Sequence, residues 1–183
     1  MRIITGSARG TRLKTPEGEA TRPTGERVKE GLFSALQFEI EGRKVLDLFC
    51  GSGQLALEAL SRGAASAVMV DASRDAADIA ADNARRAGLY PKCRVYCCDY
   101  TEYLKSTKDV FDLVFLDPPY AEKATAEIAD RLAKSGRLAP GALVVCESDT
   151  DGLPEPERCR VRRRYRYGKT FVTMLEYDGE DKI

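Results

Sequence analysis

The stretch "LDLFCGSGQLA", residues 46–56, decides the fold of this chain. It begins as an apolar run typical of a buried strand, passes through Gly51-Ser52-Gly53, and continues with residues of high helical propensity. Glycine in such a turn lets the main chain approach a ligand closely, and the first amides of the following helix have no partner within that helix. The stretch therefore predicts a strand, a ligand-binding turn and a helix in direct succession.

The same alternation of strand and helix continues along the chain. Further apolar runs lie at 66–71, 93–98, 112–117 and 142–147, and helical patterns lie between them, one of them with Ser73 as its predicted N-cap. Because these runs do not alternate with polar residues, the strands are expected to be buried on both faces. The pattern predicts an α/β fold with a doubly wound, mostly parallel, Rossmann-like sheet.

Both ends of the chain depart from this alternation. Near the carboxyl end, "RCRVRRRYRY" and "TFVTMLEY" are separated by "GK", which predicts a C-terminal β-hairpin. Residues 1–41 predict a small β-hairpin around Gly10 and a helix that begins with Thr24 as N-cap and buries Val28, Leu32, Leu36 and Ile40. We expect this basic arm to be followed by a single compact domain over residues 42–183.

The amino-acid composition limits the kinds of catalytic and metal-binding groups that this protein can use. The 183 residues contain no histidine, and the six cysteines form no Cys-x-x-Cys pair, so neither a metal site nor a disulfide framework is expected. No apolar run approaches the roughly 20 residues of a membrane helix, and residues 1–10 lack the apolar block of a secretory signal. The sequence predicts a soluble cytoplasmic protein whose chemistry depends on carboxylates, main-chain groups or a cofactor.

The charges are balanced in total but clustered along the chain. There are 29 basic and 29 acidic side chains, yet residues 1–29 hold seven basic against three acidic ones and residues 157–169 hold seven against one. Arginine and tyrosine interleaved in "RRRYRYGK" are suited to stacking on bases and to contacting phosphates. The pattern favours nucleic-acid binding, with Arg9, Arg12, Lys14, Arg27, Lys29, Arg162, Arg164 and Lys169 as candidate contacts.

Four acidic residues stand at the ends of successive predicted strands: Asp47, Asp71, Asp99 and Asp117. In open α/β sheets, ligands bind at the carboxyl edge of the strands, where these acids would meet. The glycine turn with Ala56 also fits a dinucleotide fingerprint, but a row of carboxylates repels a pyrophosphate. It suits the cationic methionyl end of S-adenosylmethionine, with Asp71 facing ribose hydroxyls and Asp99 facing the adenine amine.

The segment "LDPPY", residues 116–120, follows the fourth strand. Proline has no amide hydrogen and restricts the residue before it to extended geometry, so the chain must leave the sheet as a stiff loop. Asp117 and the Pro118 carbonyl are suitable acceptors for the two hydrogens of a planar amine, Pro119 stiffens the loop, and Tyr120 offers a stacking face. These four residues are the predicted catalytic set.

These motifs, together with "RIITGSARGTRL" and "RPTGERVKEGLF" in the arm, resemble the RsmD-type methyltransferases. That resemblance covers nearly the whole chain and implies S-adenosylmethionine-dependent methylation of a guanine N2 amine in 16S ribosomal RNA, within a bacterial small-subunit particle or before its assembly. It also implies that Arg22 and Thr24 lie near the cofactor. We expect the protein to act as a monomer. The predicted cofactor site comprises Asp47, Phe49, Gly51, Ser52, Gly53, Asp71, Ala72, Asp99, Tyr100, Arg22 and Thr24.

Several other activities remain open at this point. A DNA or RNA adenine-N6 methyltransferase uses the same D-P-P-Y segment, although the DNA enzymes usually carry an additional target-recognition domain. A cytosine-C5 enzyme commonly needs a Pro-Cys pair, which does not occur here. A dinucleotide oxidoreductase is compatible with the glycines alone, and an RNA-binding module with a vestigial pocket is the non-enzymatic alternative.

Overall fold

The computed structural model describes residues 1–16, 24–118, 122–149 and 152–179. Within these ranges the chain forms one mixed sheet covered by helices on both faces. The strands span Lys44–Asp47 (β1), Ser66–Asp71 (β2), Cys93–Cys97 (β3), Phe111–Leu116 (β4), Leu138–Ser148 (β5), Arg160–Tyr167 (β6) and Thr170–Tyr177 (β7). The helices span Thr24–Ala35 (α1), Gln54–Ser61 (α2), Arg74–Arg86 (α3), Tyr100–Ser106 (α4) and Glu122–Lys134 (α5), with a short 3₁₀ turn at Tyr90–Lys92.

The sheet has the strand order β3-β2-β1-β4-β5-β7-β6. Neighbouring strands from β3 to β5 are parallel, whereas β7 runs antiparallel to both β5 and β6. The predicted α/β fold and C-terminal hairpin are confirmed, and β7 lies inside the sheet while β6 forms its edge. As a result β6 runs in the same direction as β4, and the turn at Gly168-Lys169 lies at the carboxyl edge of the parallel strands.

Two apolar layers hold the helices against the sheet. One contains the inward faces of α1, α2 and α3 packed on residues such as Val45 and Phe115, and the other contains α4 and α5 packed on residues such as Leu46 and Val114. Adjacent strand positions thus point into different layers, which is why the runs show no polar alternation. Within the described residues, no helix combines the length and apolar character needed to cross a membrane.

The N-terminal arm packs into the first of these layers. Residues 1–13 form a hairpin with a bridge between Arg2 and Arg12, and its apolar residues Ile3 and Leu13 are buried in that core. The four positions predicted to be buried in the following helix, Val28, Leu32, Leu36 and Ile40, are all buried. However, α1 ends at Ala35, so the last two lie beyond it.

One predicted helix cap is confirmed, whereas the residue predicted as the other cap lies inside its helix. Ser73 precedes α3 and its side chain accepts a hydrogen bond from the Ala76 amide at 3.3 Å. Thr24, predicted as an N-cap, instead lies within α1, and the residues before it are outside the described ranges. Helix ends commonly differ by a residue between sequence patterns and hydrogen-bonded geometry.

Candidate active site

The strand order brings the four predicted acids to one edge of the sheet. Asp71 and Asp47 are the last residues of β2 and β1, Asp117 follows β4 directly, and Asp99 follows β3 by two residues. Because β3, β2, β1 and β4 are parallel neighbours, these positions succeed one another across the sheet in the order Asp99, Asp71, Asp47, Asp117. Neighbouring strands are about 4.8 Å apart, so the row places each acid beside the next.

Asp47 is the buried member of this row. Only 2% of its surface is exposed, and burial raises its pKa to about 7, with further contributions from the negative charges of Asp117 and Asp71. The main-chain amides of Ala56 and Phe49 oppose this by stabilising the carboxylate. Within the described part of the chain, its Oδ2 atom is buried without a hydrogen-bond partner. A buried carboxylate oxygen of this kind fits a cationic or hydrogen-bond-donating ligand.

The glycine turn lies beside Asp47 and has no room for side chains at its second glycine. Gly51 and Gly53 have positive φ angles of 50° and 77°, a region that favours glycine. A Cβ atom on Gly53 would stand 2.8 Å from the Met69 sulfur and 3.3 Å from the Ala80 Cβ. Gly53 directly precedes α2 and offers no side-chain cap, so the helix presents its first amides beside the acidic row.

Asp71 fixes this turn as well as ending β2. Its Oδ2 accepts a hydrogen bond from the Gly51 amide at 2.9 Å, and its Oδ1 accepts one from the Ser73 amide at 2.9 Å. An ionised carboxylate can accept about four hydrogen bonds, so two positions are left for the predicted ribose contact. Ala72, also predicted at the cofactor site, is exposed directly after Asp71.

Asp99 caps a helix in addition to its predicted contact with the cofactor. It is exposed and caps α4, because its Oδ1 accepts hydrogen bonds from both the amide and the hydroxyl of Thr101, and these bonds lower its pKa. Next to it, the rings of Phe49 and Tyr100 pack with centroids 5.4 Å apart and an interplanar angle of 53°. Two predicted cofactor residues from different strand ends therefore form one aromatic pair.

The predicted catalytic segment is described only in part. Asp117 is exposed and Pro118 is buried, both directly beyond β4 and next to Asp47 in the row. Pro119, Tyr120 and Arg22 lie outside the described residues, and the side chain of Thr24 is likewise not described. The roles assigned to them from the sequence stay predictions.

The predicted RNA contact of Lys29 is wrong. Its side chain is 1% exposed, and its Nζ atom donates to the Arg2 carbonyl at 2.6 Å and lies 3.5 Å from Glu58 Oε2. Burial lowers the pKa of Lys29, and the Glu58 carboxylate counteracts that shift. The N-terminal hairpin covers this lysine, so it cannot reach a phosphate.

The C-terminal basic cluster divides between opposite edges of the sheet. Arg162, near the start of β6, lies at the opposite end of the strands from the acidic row and pairs with Glu39 at 2.7 Å and Glu176 at 3.8 Å, so it is a less favourable candidate and its RNA contact stays a prediction. Arg164 is exposed and donates to the Leu153 carbonyl at 3.1 Å, and its RNA contact stays a prediction. Lys169, in the turn after β6, is exposed on the same edge as the acidic row.

The other basic residues predicted in the arm are accessible to a phosphate. Arg9, Arg12 and Arg27 are exposed. Lys14 is also exposed and lies 3.6 Å from Asp82, a surface pair of the kind that contributes little energy. These residues stay candidates for phosphate contacts.

Two buried polar residues that support the site were missed in the sequence. Glu58, in α2, accepts hydrogen bonds from the amides of Ile4 and Thr5 and from Arg62, in addition to its pair with Lys29. Asn83, in α3, bonds to the main chain of Lys14 and Ser52. The spacing of residues in α3 could have indicated the burial of Asn83. It follows Ala76 by seven residues and Ala80 by three, so it lies on the same buried face of the helix.

Comparisons with known proteins agree with this geometry. A family model described as "Conserved hypothetical protein 95" matches residues 1–176. The ribosomal RNA small subunit methyltransferase D of Escherichia coli K12 is 37% identical over 98% of this chain and 91% of its own length. The solved structure of the Escherichia coli protein YhhF is 31% identical, with a TM-score of 0.87 over 98% of this chain and 99% of that one.

A more distant structure shares the fold. An RNA methyltransferase of Salinibacter ruber, solved in complex with S-adenosyl-L-homocysteine, is 21% identical and superposes with a TM-score of 0.69 over 87% of this chain and 95% of that one. The region that the family model matches contains the arm, the acidic strand ends and all of the hairpin except its last residue, Tyr177. The chain therefore belongs to the RsmD-type methyltransferase family.

Proposed function

We propose that this protein transfers a methyl group from S-adenosylmethionine to the exocyclic N2 amine of a guanine in small-subunit ribosomal RNA. The observation that carries the proposal is the buried Asp47 carboxylate, which has one oxygen without a partner in the described chain, between the glycine turn and Asp117. The Escherichia coli relative matches nearly the full chain and is named as a small-subunit rRNA methyltransferase, which supports small-subunit ribosomal RNA as the substrate.

The residues present fit S-adenosylmethionine better than a dinucleotide. When bound, this cofactor supplies a methyl group made electrophilic by a sulfonium. We assign Asp47 to its cationic methionyl end, Gly51, Ser52 and Gly53 to close main-chain approach, and Asp71 to the ribose hydroxyls. Phe49 and Tyr100 together provide an apolar surface for the adenine ring, with Asp99 and Ala72 at its border.

Asp117 and Pro118 hold the amine that is to be methylated. The nitrogen of an exocyclic amine is a weak nucleophile because its lone pair is delocalised into the ring. The Asp117 carboxylate and the Pro118 carbonyl would accept one hydrogen each, which directs the nitrogen toward the methyl donor. Preorganised acceptors of this kind act without reorganisation during the reaction. After transfer, the Asp117 carboxylate takes the proton that the nitrogen must lose, so no histidine is required.

The base has to leave its stack to reach this loop, and we assign its new stacking surface to Tyr120. Phosphate contacts come from Arg9, Arg12, Lys14 and Arg27 of the arm and from Lys169 of the hairpin turn, all exposed. The protein is proposed to work as a monomer in the bacterial cytoplasm, on ribosomal RNA or on an assembling 30S particle. Neither a metal nor a second subunit is part of this mechanism.

The test is to incubate the purified protein with S-adenosylmethionine carrying a labelled methyl group and with unmethylated small-subunit RNA, free or in particles. The RNA is then digested and its nucleosides are separated by mass spectrometry. Label in N2-methylguanosine is the expected result. Label in N6-methyladenosine would support the adenine alternative, and RNA binding without any transfer would support the non-catalytic one.

A further inference from the structure

The side-chain amide of Asn83 joins two parts of the proposed site that are distant in sequence. Asn83 has no exposed surface, and its Nδ2 atom donates to the Ser52 carbonyl and to the Lys14 carbonyl, each at 2.9 Å. Its Oδ1 atom accepts from the Lys14 amide at 2.8 Å. The partners fix the orientation of the amide, because the two carbonyls can only accept and the Lys14 amide can only donate.

Ser52 is the central residue of the glycine turn. The turn is held from one side by Asp71, which accepts from the Gly51 amide, and from the other side by Asn83, which donates to the Ser52 carbonyl. Close packing of Gly53 against Met69 and Ala80 leaves the turn little freedom to shift over α3. The Asn83 contact therefore sets the orientation of the peptide that stands between the two glycines.

Lys14 stands at the other end of the link. It is the residue after the buried Leu13 of the hairpin, and the chain continues from it toward α1. Asn83 pairs with both main-chain groups of Lys14, as a neighbouring strand would. The same amide thus fixes the glycine turn and the carboxyl end of the hairpin in the basic arm.

We infer that Asn83 is a positioning residue that couples the cofactor turn to the basic N-terminal arm, an inference that rests on the proposed function for its effect on catalysis. Buried main-chain groups deprived of their partner are costly, so the turn and the arm must rearrange when Asn83 is replaced. Loss of the amide then weakens both the cofactor and the RNA, although Asn83 belongs to neither predicted binding set.

A matched control is available in Ser61. Its hydroxyl accepts from the Ala8 amide at 3.0 Å and donates to the Thr5 carbonyl at 2.6 Å, so it anchors the same hairpin. Among the residues that the structure describes, its hydroxyl has no hydrogen bond to the glycine turn. Ser61→Ala should therefore loosen the hairpin and leave the cofactor turn in place, which separates coupling from general destabilisation.

The experiment compares Asn83→Ala and the near-isosteric Asn83→Leu with Ser61→Ala, after circular dichroism has confirmed that each is folded. Calorimetry with S-adenosylhomocysteine should give a dissociation constant raised by about tenfold for both Asn83 variants and unchanged for Ser61→Ala. In turnover assays, the Asn83 variants should raise KM for the cofactor and for RNA, whereas Ser61→Ala should raise KM for RNA alone. Wild-type affinity in the Asn83 variants, or equal losses in Ser61→Ala, would overturn the inference.

Hydrogen exchange tests the link independently of activity. In the free protein, the Asn83 variants should speed exchange of the Lys14 and Gly53 amides together, and Ser61→Ala should speed exchange of the Ala8 amide without affecting Gly53. In the wild type, saturating S-adenosylhomocysteine should slow exchange of the Lys14 amide, and an unchanged rate there would contradict the coupling even if no Asn83 variant folds. A wild-type protein that binds no S-adenosylhomocysteine would instead refute the proposed function, while the exchange comparison in the free protein would still decide the link.

Discussion

Replacing Asp47 by asparagine should stabilise the protein and at the same time impair cofactor binding. Asp47 is fully buried, and its pKa is raised from an ordinary value of 3.8 to about 7 by burial and by the charges of Asp117 and Asp71. Above pH 7 the native state therefore contains a carboxylate whose charge is stabilised less than in the unfolded chain. Asparagine has nearly the same shape and can still accept from the amides of Ala56 and Phe49, but it carries no charge.

The size and sign of the effect follow from the two pKa values. Between about pH 4 and pH 7 the unfolded chain has lost the Asp47 proton while the folded chain retains it, so the stability of the wild type falls as the pH rises through this window. A difference of about 3 pKa units corresponds to about 4 kcal/mol, which is the upper value for the gain from Asp47→Asn at pH 8. Near pH 4 both proteins are neutral at this position, and the gain should approach zero.

Urea unfolding of both proteins at several pH values between about 4 and 8 measures this difference. Subtracting the two stabilities cancels the titration of the groups that do not interact with Asp47, so that the difference reports Asp47 together with its two charged neighbours, Asp71 and Asp117. Asp78→Asn, at an exposed position of α3, is a control that should change stability by no more than about 0.5 kcal/mol. A stability gain that does not vary with pH, or a loss of stability at pH 8, would refute the conclusion that the charged Asp47 carboxylate destabilises the folded state. Calorimetry with S-adenosylmethionine should show weaker binding to Asp47→Asn, since the proposed site has lost its charge.

Three further results are expected. Asp117→Ala should reduce methyl transfer by about a hundredfold or more while calorimetry still detects the cofactor, and turnover like that of the wild type would refute its proposed role. Gly53→Ala should lower the free energy of unfolding in urea by about 1 kcal/mol or more, because the φ of 77° at this position disfavours alanine and the added Cβ would clash with the Met69 sulfur. An unchanged free energy of unfolding would contradict the described packing. RNA affinity should fall about tenfold or more when salt rises from about 50 to 200 mM, and Lys169→Ala should reduce the slope of this dependence by about 1. Arg162→Ala is the control for Lys169, since its guanidinium is paired with protein carboxylates, and an equal loss of slope there would contradict the division of the cluster.

The parts of the fold that were predictable are those that depend on local pattern. Unbroken apolar runs identified the parallel strands, and Gly168-Lys169 identified the turn of the C-terminal hairpin. The meeting of Asp47 and Asp71 at one edge followed from a general property of parallel strands, without knowledge of the strand order. Residue alternation carries no information on strand order, so the position of β7 inside the sheet required the structure.

The errors and omissions at the site have a common physical origin. Lys29 and Glu58 carry charges on helices, and charged helical residues usually face solvent. Here the docked hairpin supplies main-chain partners from residues 2, 4 and 5, more than 25 positions away from either residue. The partners of Asn83 lie 31 and 69 residues away. Partners supplied by tertiary docking leave no periodic signal in the sequence.

The burial of Glu58 beneath the hairpin determines which truncations of this protein would be informative. Shortening the chain by its first ten residues would remove two of the main-chain donors that solvate this anion and would uncover Lys29 beside it. Such a shortened protein would misfold or lose affinity for reasons unrelated to ribosomal RNA. The contribution of the arm to substrate binding is better measured in the full-length chain, by replacing Arg9, Arg12 and Arg27 with neutral residues. Their side chains are exposed, so these substitutions leave the buried contacts of the hairpin in place.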